Sequence, residues 1–210
     1  ATNMAQPFSI LPYGPGHWLL QLESSDDYAS LLAIQHQTSE VILESVMGYD
    51  SLLLRTHPSI SVEELLPCIQ STKTSDSSKH EPRLHRIPVR YDGPDLAEVA
   101  ALIGLSEELV IQLHSDALYT VRFLGFSPGF GYLDGLAPKL HLPRRKVPRT
   151  KMAAGAVAIG GSHAGIYTIP SPGGWNWLGH TDHPLFDPSK NGSDAFALLP
   201  GDHLKFIPTS

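Results

Sequence analysis

The chain has 210 residues and a formal net charge of −6 at neutral pH. That length admits one large domain or two small ones, and the negative balance disfavours nucleic acid or an anionic membrane surface as a global partner. No apolar run approaches the ~18 residues of a membrane span, and the single cysteine, Cys68, excludes an internal disulfide framework and fits a reducing cytoplasm.

Ala1–Asn3 carries no apolar leader, and Met4 reads as the natural start. Phe8–Gly14 and Trp18–Leu22 read as extended segments around a Gly14-Pro15-Gly16 turn. Ser24–Asp27 is an N-cap cluster ahead of helical spacing from Tyr28 to Gln37. Val41–Val46 and Ser51–Arg55 read as strands, and Ser61 with Glu64 forms a capping box opening a helix through Ile69. With Ile87–Tyr91 as the last strand the order is βαββαβ, a ferredoxin-like pattern. Ser71–Lys79 is polar and reads as a linker or loop. The expected first domain is therefore 1–82, linker included, and the second 83–210.

After Tyr91 the pattern changes. Pro94 suits a first helical position, and Leu96, Val99, Ala100 and Ile103 mark a helix ended by Gly104. Ser106 caps another, with Glu107 and Glu108 in its first turn and an end near His114. From Tyr119 onward, short segments of alternating polarity are separated by Gly and Pro, the signature of a closed antiparallel β-barrel. The fold class expected is α+β, with a small ferredoxin-like domain followed by a barrel.

Two glycine- and aromatic-rich stretches, Phe123–Leu136 and Ser171–Thr181, flank the basic cluster Leu142–Thr150. Glycine turns, aromatic walls and convergent arginines together point to a pocket. Pro148 biases its neighbourhood toward extended geometry, so Arg145 and Arg149 fall on one side and Arg144 and Lys146 on the other. The paired guanidiniums suit a carboxylate or phosphate. His114 is a candidate proton carrier, because an unperturbed imidazole titrates near ~6.5; a plain helix-terminal histidine is the alternative. Trp175 reads as a pocket wall or as core, and Cys68 as a small buried hydrophobe.

Other motifs fail on chemistry. Gly125-Phe-Ser-Pro-Gly129 matches a nucleophile elbow in letters, but Pro128 supplies no oxyanion N–H. Gly155–Ser162 has P-loop spacing with Gly161 where the lysine belongs. The two helices after Asp95 have the outline of a DNA-binding pair, yet the second carries acids where phosphate would lie. His180-Thr-Asp-His183 lacks the frame of a metal site and reads as a polar turn.

Taken in order, Leu113-His-Ser115, Leu124–Leu133, Leu142–Arg145, Pro148-Arg-Thr150, Gly165-Ile-Tyr167, Ser171–Trp175 and Leu185-Phe-Asp187 resemble the allophanate hydrolase subunit 1 family, which includes the kinase inhibitor KipI and the B subunit of bacterial 5-oxoprolinase. The resemblance implies an N-terminal α/β domain and a cyclophilin-like barrel. It implies pairing with a homologous C-type partner (allophanate hydrolase subunit 2 type) and an A-type partner (LamB/YcsF type), in a cytoplasmic assembly that hydrolyses 5-oxoproline to glutamate with ATP as the cofactor of the complex. The isolated chain is then expected to be inactive. Site residues expected are His114, Arg145 and Arg149 for catalysis, and Phe126, Phe130, Arg144, Thr150, Ser171, Gly173, Gly174 and Trp175 for substrate, with no metal. The chain departs from the family pattern in a short loop after Tyr91, in Thr168 and in His180. Alternatives are a KipI-like histidine-kinase inhibitor and a urea-type carboxyltransferase component.

Overall fold

The computed structural model describes residues 7–24, 27–35, 40–71 and 81–210. The start at Met4, the middle of the Ser24–Asp27 cap, the end of the first helix beyond Gln35 and the 72–79 linker lie outside them. The chain forms two compact units, Ala1–Glu81 and Pro82–Ser210.

In the first unit, β1 (Phe8–Pro12) and β2 (His17–Leu22) form a hairpin. Gly14 and Gly16 turn it at φ 120° and 67°, and a Cβ on Gly16 would meet the Thr56 carbonyl oxygen at 2.7 Å. Then follow α1 (Tyr28–Gln35), β3 (Ile42–Met47), β4 (Ser51–Thr56) and α2 (Val62–Gln70). The capping box is present, with Glu64 N donating to Ser61 Oγ and Ser61 N donating to Glu64. The sheet order is β1-β2-β4-β3, antiparallel throughout. This is the ferredoxin-like order with one exchange. The edge place expected for 87–91 is filled by β1, because a short hairpin closes at less entropic cost than a strand returning through the linker. Cys68 is half-buried rather than enclosed.

The displaced strand belongs to the second unit. β5 (Leu84–Arg90) runs parallel to β13 (His203–Thr209), the strand at the other end of that unit. Between them lie α3 (Leu96–Ile103), α4 (Glu107–Asp116), β6 (Tyr119–Leu124), β7 (Gly131–Asp134), β8 (Arg149–Met152), β9 (Ala156–Gly160), β10 (His163–Ile166), β11 (Ser171–Gly173) and β12 (Asn176–His180). Seven strands close a barrel in the order β10-β7-β6-β13-β5-β12-β9, and β8 pairs with β11 in a separate ribbon. The barrel is antiparallel except at β5–β13.

Strand alternation sends Val121, Leu133, Val157, Ile159, Leu204 and Phe206 into the barrel core. Each fully buried aliphatic side chain there contributes roughly 1.5–3 kcal/mol over exposure. The helix pair adds Leu96, Val99, Ala100 and Val110 to the same core. Gly104, at φ 68°, ends α3, and Ser106 Oγ accepts from Leu109 N to start α4. Pro94 stands one residue before the N-cap Asp95 rather than at the first helical position, and the Asp95 side chain makes no capping bond.

Candidate functional site

The outer wall of the barrel carries an aromatic platform. While Val157 and Ile159 point inward, Ala156 and Ala158 of β9 form a low surface with Phe130, Met152, Tyr167 and Trp175 on it. Glycines let the rings lie close. A Cβ on Gly160 would stand 2.8 Å from Trp175 Cγ, and one on Gly165 would stand 2.8 Å from Phe130 Cζ. A Cβ on Gly173 would collide with the Tyr167 hydroxyl. Phe130 meets Tyr132, Tyr167 and Trp175 edge to face at centroid distances of 5.2, 5.1 and 5.3 Å, the arrangement ring quadrupoles favour.

At the surface of this platform Phe126, Phe130, Tyr132, Arg144, Tyr167, Gly173, Gly174 and Trp175 line a cleft of about 70 Å³. Trp175 is thus both wall and core, at 4% exposure. Phe130 is also enclosed at 1%, so the exposed apolar groups here are Phe126 at 61% and Val147 at 79%. Phe126 holds φ 66°, a left-handed backbone rare for a bulky residue. It sits in the turn joining β6 to β7, where Phe130 N donates to Ser127 O. No helix follows Ser127, which removes the nucleophile elbow on geometry as well.

The arginines separate. Arg145 and Arg149 converge as alternation demanded, but on a protein carboxylate. Asp95, 1% exposed, accepts from Arg145 Nη1 at 2.8 Å, from Arg149 Nη1 and Nη2 at 2.8 and 2.7 Å, and from Trp177 N at 2.7 Å. Arg145 also donates to Glu98 at 2.9 Å, and that bond, followed by the charge of Asp95, raises its pKa. Both guanidiniums are thus committed to Asp95 and Glu98 and stand outside the lining of the aromatic cleft. Arg144 lies on the other side, its Cζ 6.0 Å from the Trp175 ring centroid. The loop beneath it is pinned: Gly161 N donates to Leu142 O, Asn176 Nδ2 to Pro143 O, and Arg145 N to Gly174 O.

His114 is not part of the cleft wall. It is fully buried in α4, stacked on Phe206 at 4.5 Å, and its Nδ1 lies 2.8 Å from Tyr91 Oη. Burial pushes its pKa down to about 3. The imidazole is neutral at neutral pH and enclosed away from the cleft, a placement that favours the helix-terminal reading over the proton carrier. Its backbone carbonyl accepts from Tyr119 Oη at 2.9 Å, which makes it a capped helix-terminal residue. Thr150 is exposed on β8, and Ser171 Oγ is enclosed without a partner on β11; neither lines the cleft.

A second cavity, about 250 Å³, shares Tyr167 with the first and is lined by Gly155, Thr168 and residues 180–186. There Asp182 accepts from Arg90 at 2.7 Å and stands 3.2 Å from His180 Nε2. The bond to Arg90 holds its carboxyl below the usual range. Sequence reasoning missed Asp95, Tyr132 and Tyr167 as site residues. Tyr167 was visible in the Gly165-Ile-Tyr167 motif; Asp95 gave no local signal, because its partners are 50 and 54 residues away.

Fold and site define a class: a small α+β unit followed by a closed seven-stranded barrel with an aromatic, arginine-flanked cleft on its outer wall. The chain matches the carboxyltransferase domain, subdomain C and D, over residues 8–197, and it belongs to that family. It is similar to the B subunit of 5-oxoprolinase from Escherichia coli O157:H7, 42% identical over 172 residues, with 80% of this chain and 78% of the relative covered. The protein of the same name from Haemophilus influenzae is 41% identical over 182 residues, covering 83% of each. The solved structure of TTHA0988 superposes with a TM-score of 0.82 at 38% identity, over 92% of this chain and 40% of that one. The present chain thus spans about two-fifths of that solved chain. The expected resemblance and the α+β barrel fold are both borne out.

Proposed function

We propose that the chain is one component of an ATP-dependent 5-oxoprolinase that opens 5-oxoproline to glutamate in the cytoplasm, active only with partner subunits of the C and A types. The observation that carries this reading is 42% identity to a protein named as the B subunit of 5-oxoprolinase, over 80% of the chain. The site agrees with a dependent role. Lactam opening needs an activated carbonyl, a nucleophile and a proton carrier. The turn at Ser127 has no oxyanion donor at Pro128, and His114 is neutral and enclosed. Gly155–Ser162 is β9 with its following turn, with Gly161 in place of a phosphate-binding lysine, so these residues do not fit a P-loop. ATP is then a cofactor of the assembly, and no nucleotide step is assigned to this chain.

The test is reconstitution. Glutamate release from 5-oxoproline should require ATP and all three subunits, and be absent for this chain alone. ATP-dependent release by the isolated chain would overturn the reading. The family description favours a second reading, a carboxyltransferase component; that reading predicts that product formation follows a biotin-bearing partner and bicarbonate instead.

A further inference from the structure

We infer that Ser162, His163 and Asp134 form an acyl-transfer site on the outer wall of the barrel, one that cleaves activated esters of small acyl groups through a serine ester. The inference goes beyond the 5-oxoprolinase reading and needs neither ATP nor a partner subunit.

Strand register brings the three residues together. β9 and β10 are joined by a two-residue turn, Gly161-Ser162, closed by the pair Gly160 and His163. Gly161 has φ 64° and leads the turn, the glycine-first form that matches strand twist. Ser162 is left exposed at the tip. The turn is held in place by Gly161 N, which donates to Leu142 O at 2.7 Å. On the other side of β10, Ala164 pairs antiparallel with Leu133 of β7. Both of those side chains lie in the barrel core. Alternation therefore sets their neighbours His163 and Asp134 opposite each other on the outer face.

The contacts run in the order that acyl transfer needs. Ser162 Oγ lies 3.5 Å from His163 Nε2, and His163 Nδ1 lies 3.1 Å from Asp134 Oδ1. Arg122 Nε stands 3.9 Å from the other oxygen of that carboxylate. A carboxylate at Nδ1 keeps the ring proton there, so Nε2 turns its lone pair toward the serine hydroxyl. The serine contact is long and the carboxylate contact imperfectly aligned, a common state of catalytic groups before substrate arrives. The imidazole is largely enclosed, with 19% side-chain exposure and the Tyr132 ring 6.2 Å away, which restricts its orientation. Ser127, in the elbow-like motif, has no such neighbour: its Oγ is enclosed without a hydrogen-bond partner.

The chemistry balances within the site. Ser162 Oγ adds to the ester carbonyl carbon as its proton passes to His163 Nε2. The carbon–oxygen bond to the leaving group then breaks, and the leaving oxygen takes that proton. Water adds to the serine ester in the same way, the acid departs and Oγ regains a proton. Asp134 is a positioning residue that acts through His163. The N–H of Gly161, beside the serine, is already committed to Leu142 O. Loss of one oxyanion donor costs about 10²–10³-fold in rate, so the substrate must carry a good leaving group. That selects aryl esters and excludes amides and lactams.

The experiment treats the purified full chain with p-nitrophenyl acetate and, separately, with a fluorophosphonate, followed by peptide mass spectrometry. Saturable nitrophenolate release is expected, with the phosphonyl adduct on Ser162. Ser162→Ala should abolish the adduct and lower kcat/KM at least tenfold, with an unchanged melt because the residue is an exposed turn position. His163→Gln should slow both reactions at least tenfold. Asp134→Asn should lower kcat at least tenfold while KM stays the same. Ser127→Ala should leave all of these within twofold. Adducts confined to residues other than Ser162, or wild-type turnover by Ser162→Ala, would overturn the inference. The reactions are read without ATP or partners, so the outcome is separate from that of reconstitution.

Discussion

His114 shows how burial alone can reverse the role a residue type suggests. In sequence it is a histidine at a helix end beside a polar loop; in the fold it is stacked on Phe206, meets Tyr91 edge to face and Tyr119 at a tilt, and has no exposed surface. Its Nε2 has no partner, which adds to the cost of charging it. The consequence is a stability that depends on pH. The folded pKa, about 3, lies below the unfolded value, so below pH ~6.5 the unfolded chain binds one more proton than the folded chain. Stability from this group is complete above that pH and falls by about 1.4 kcal/mol per unit as pH drops toward 3. Denaturant melts of wild type and His114→Gln between pH 7 and 5 should differ by this slope below pH ~6.5, the wild type losing more. Equal slopes would mean that His114 is protonated in the fold.

The elements reveal a division between local and distant information. Capping at Ser61 and Ser106, the left-handed stop at Gly104 and the barrel's alternating strands were all legible, because each rests on neighbours a few residues apart. So was the aromatic, glycine-rich character of the cleft, since a flat platform needs glycines under rings. The partner of the arginines was not. Asp95 begins α3, yet its carboxylate ties the 145–149 segment to β12 through Arg145, Arg149 and Trp177 N. Extended spacing correctly placed Arg145 and Arg149 on one face, but spacing says nothing of what the face meets. Removing one member of a buried pair leaves the others uncompensated, at ~3–5 kcal/mol, and the arginines' partial exposure places this case near the low end. Asp95→Asn should cost about 3 kcal/mol, and Arg149→Lys, which forfeits the fork, ~1.5 kcal/mol, by urea unfolding. A melt unchanged by Asp95→Asn would show that the network contributes nothing to the fold.

At the scale of the whole molecule, the strand at Leu84–Arg90 decides where one unit ends and the other begins. Its sequence fits either the ferredoxin-like sheet or the barrel, and periodicity alone cannot choose between them. The choice is made by pairing. Every residue from Leu84 to Arg90 has a β13 partner, from His203 to Thr209, and Arg90 also pairs with His180 of β12. Ile87 and Val89 are fully enclosed among residues of the barrel core. All seven barrel strands, both helices of the core and every cleft residue therefore lie within 82–210. We expect the fragment 82–210 to fold by itself, with a cooperative melt and the near-ultraviolet aromatic signal of its packed rings. The fragment 92–210 lacks β5 and leaves β12 and β13 as open edges, which invites association instead of a single melt. The full chain should then show two transitions wherever the units differ in stability, because two cores are unfolding. A disordered 82–210, or a 92–210 with the same cooperative melt, would refute the assignment of Leu84–Arg90 as the strand that closes the barrel.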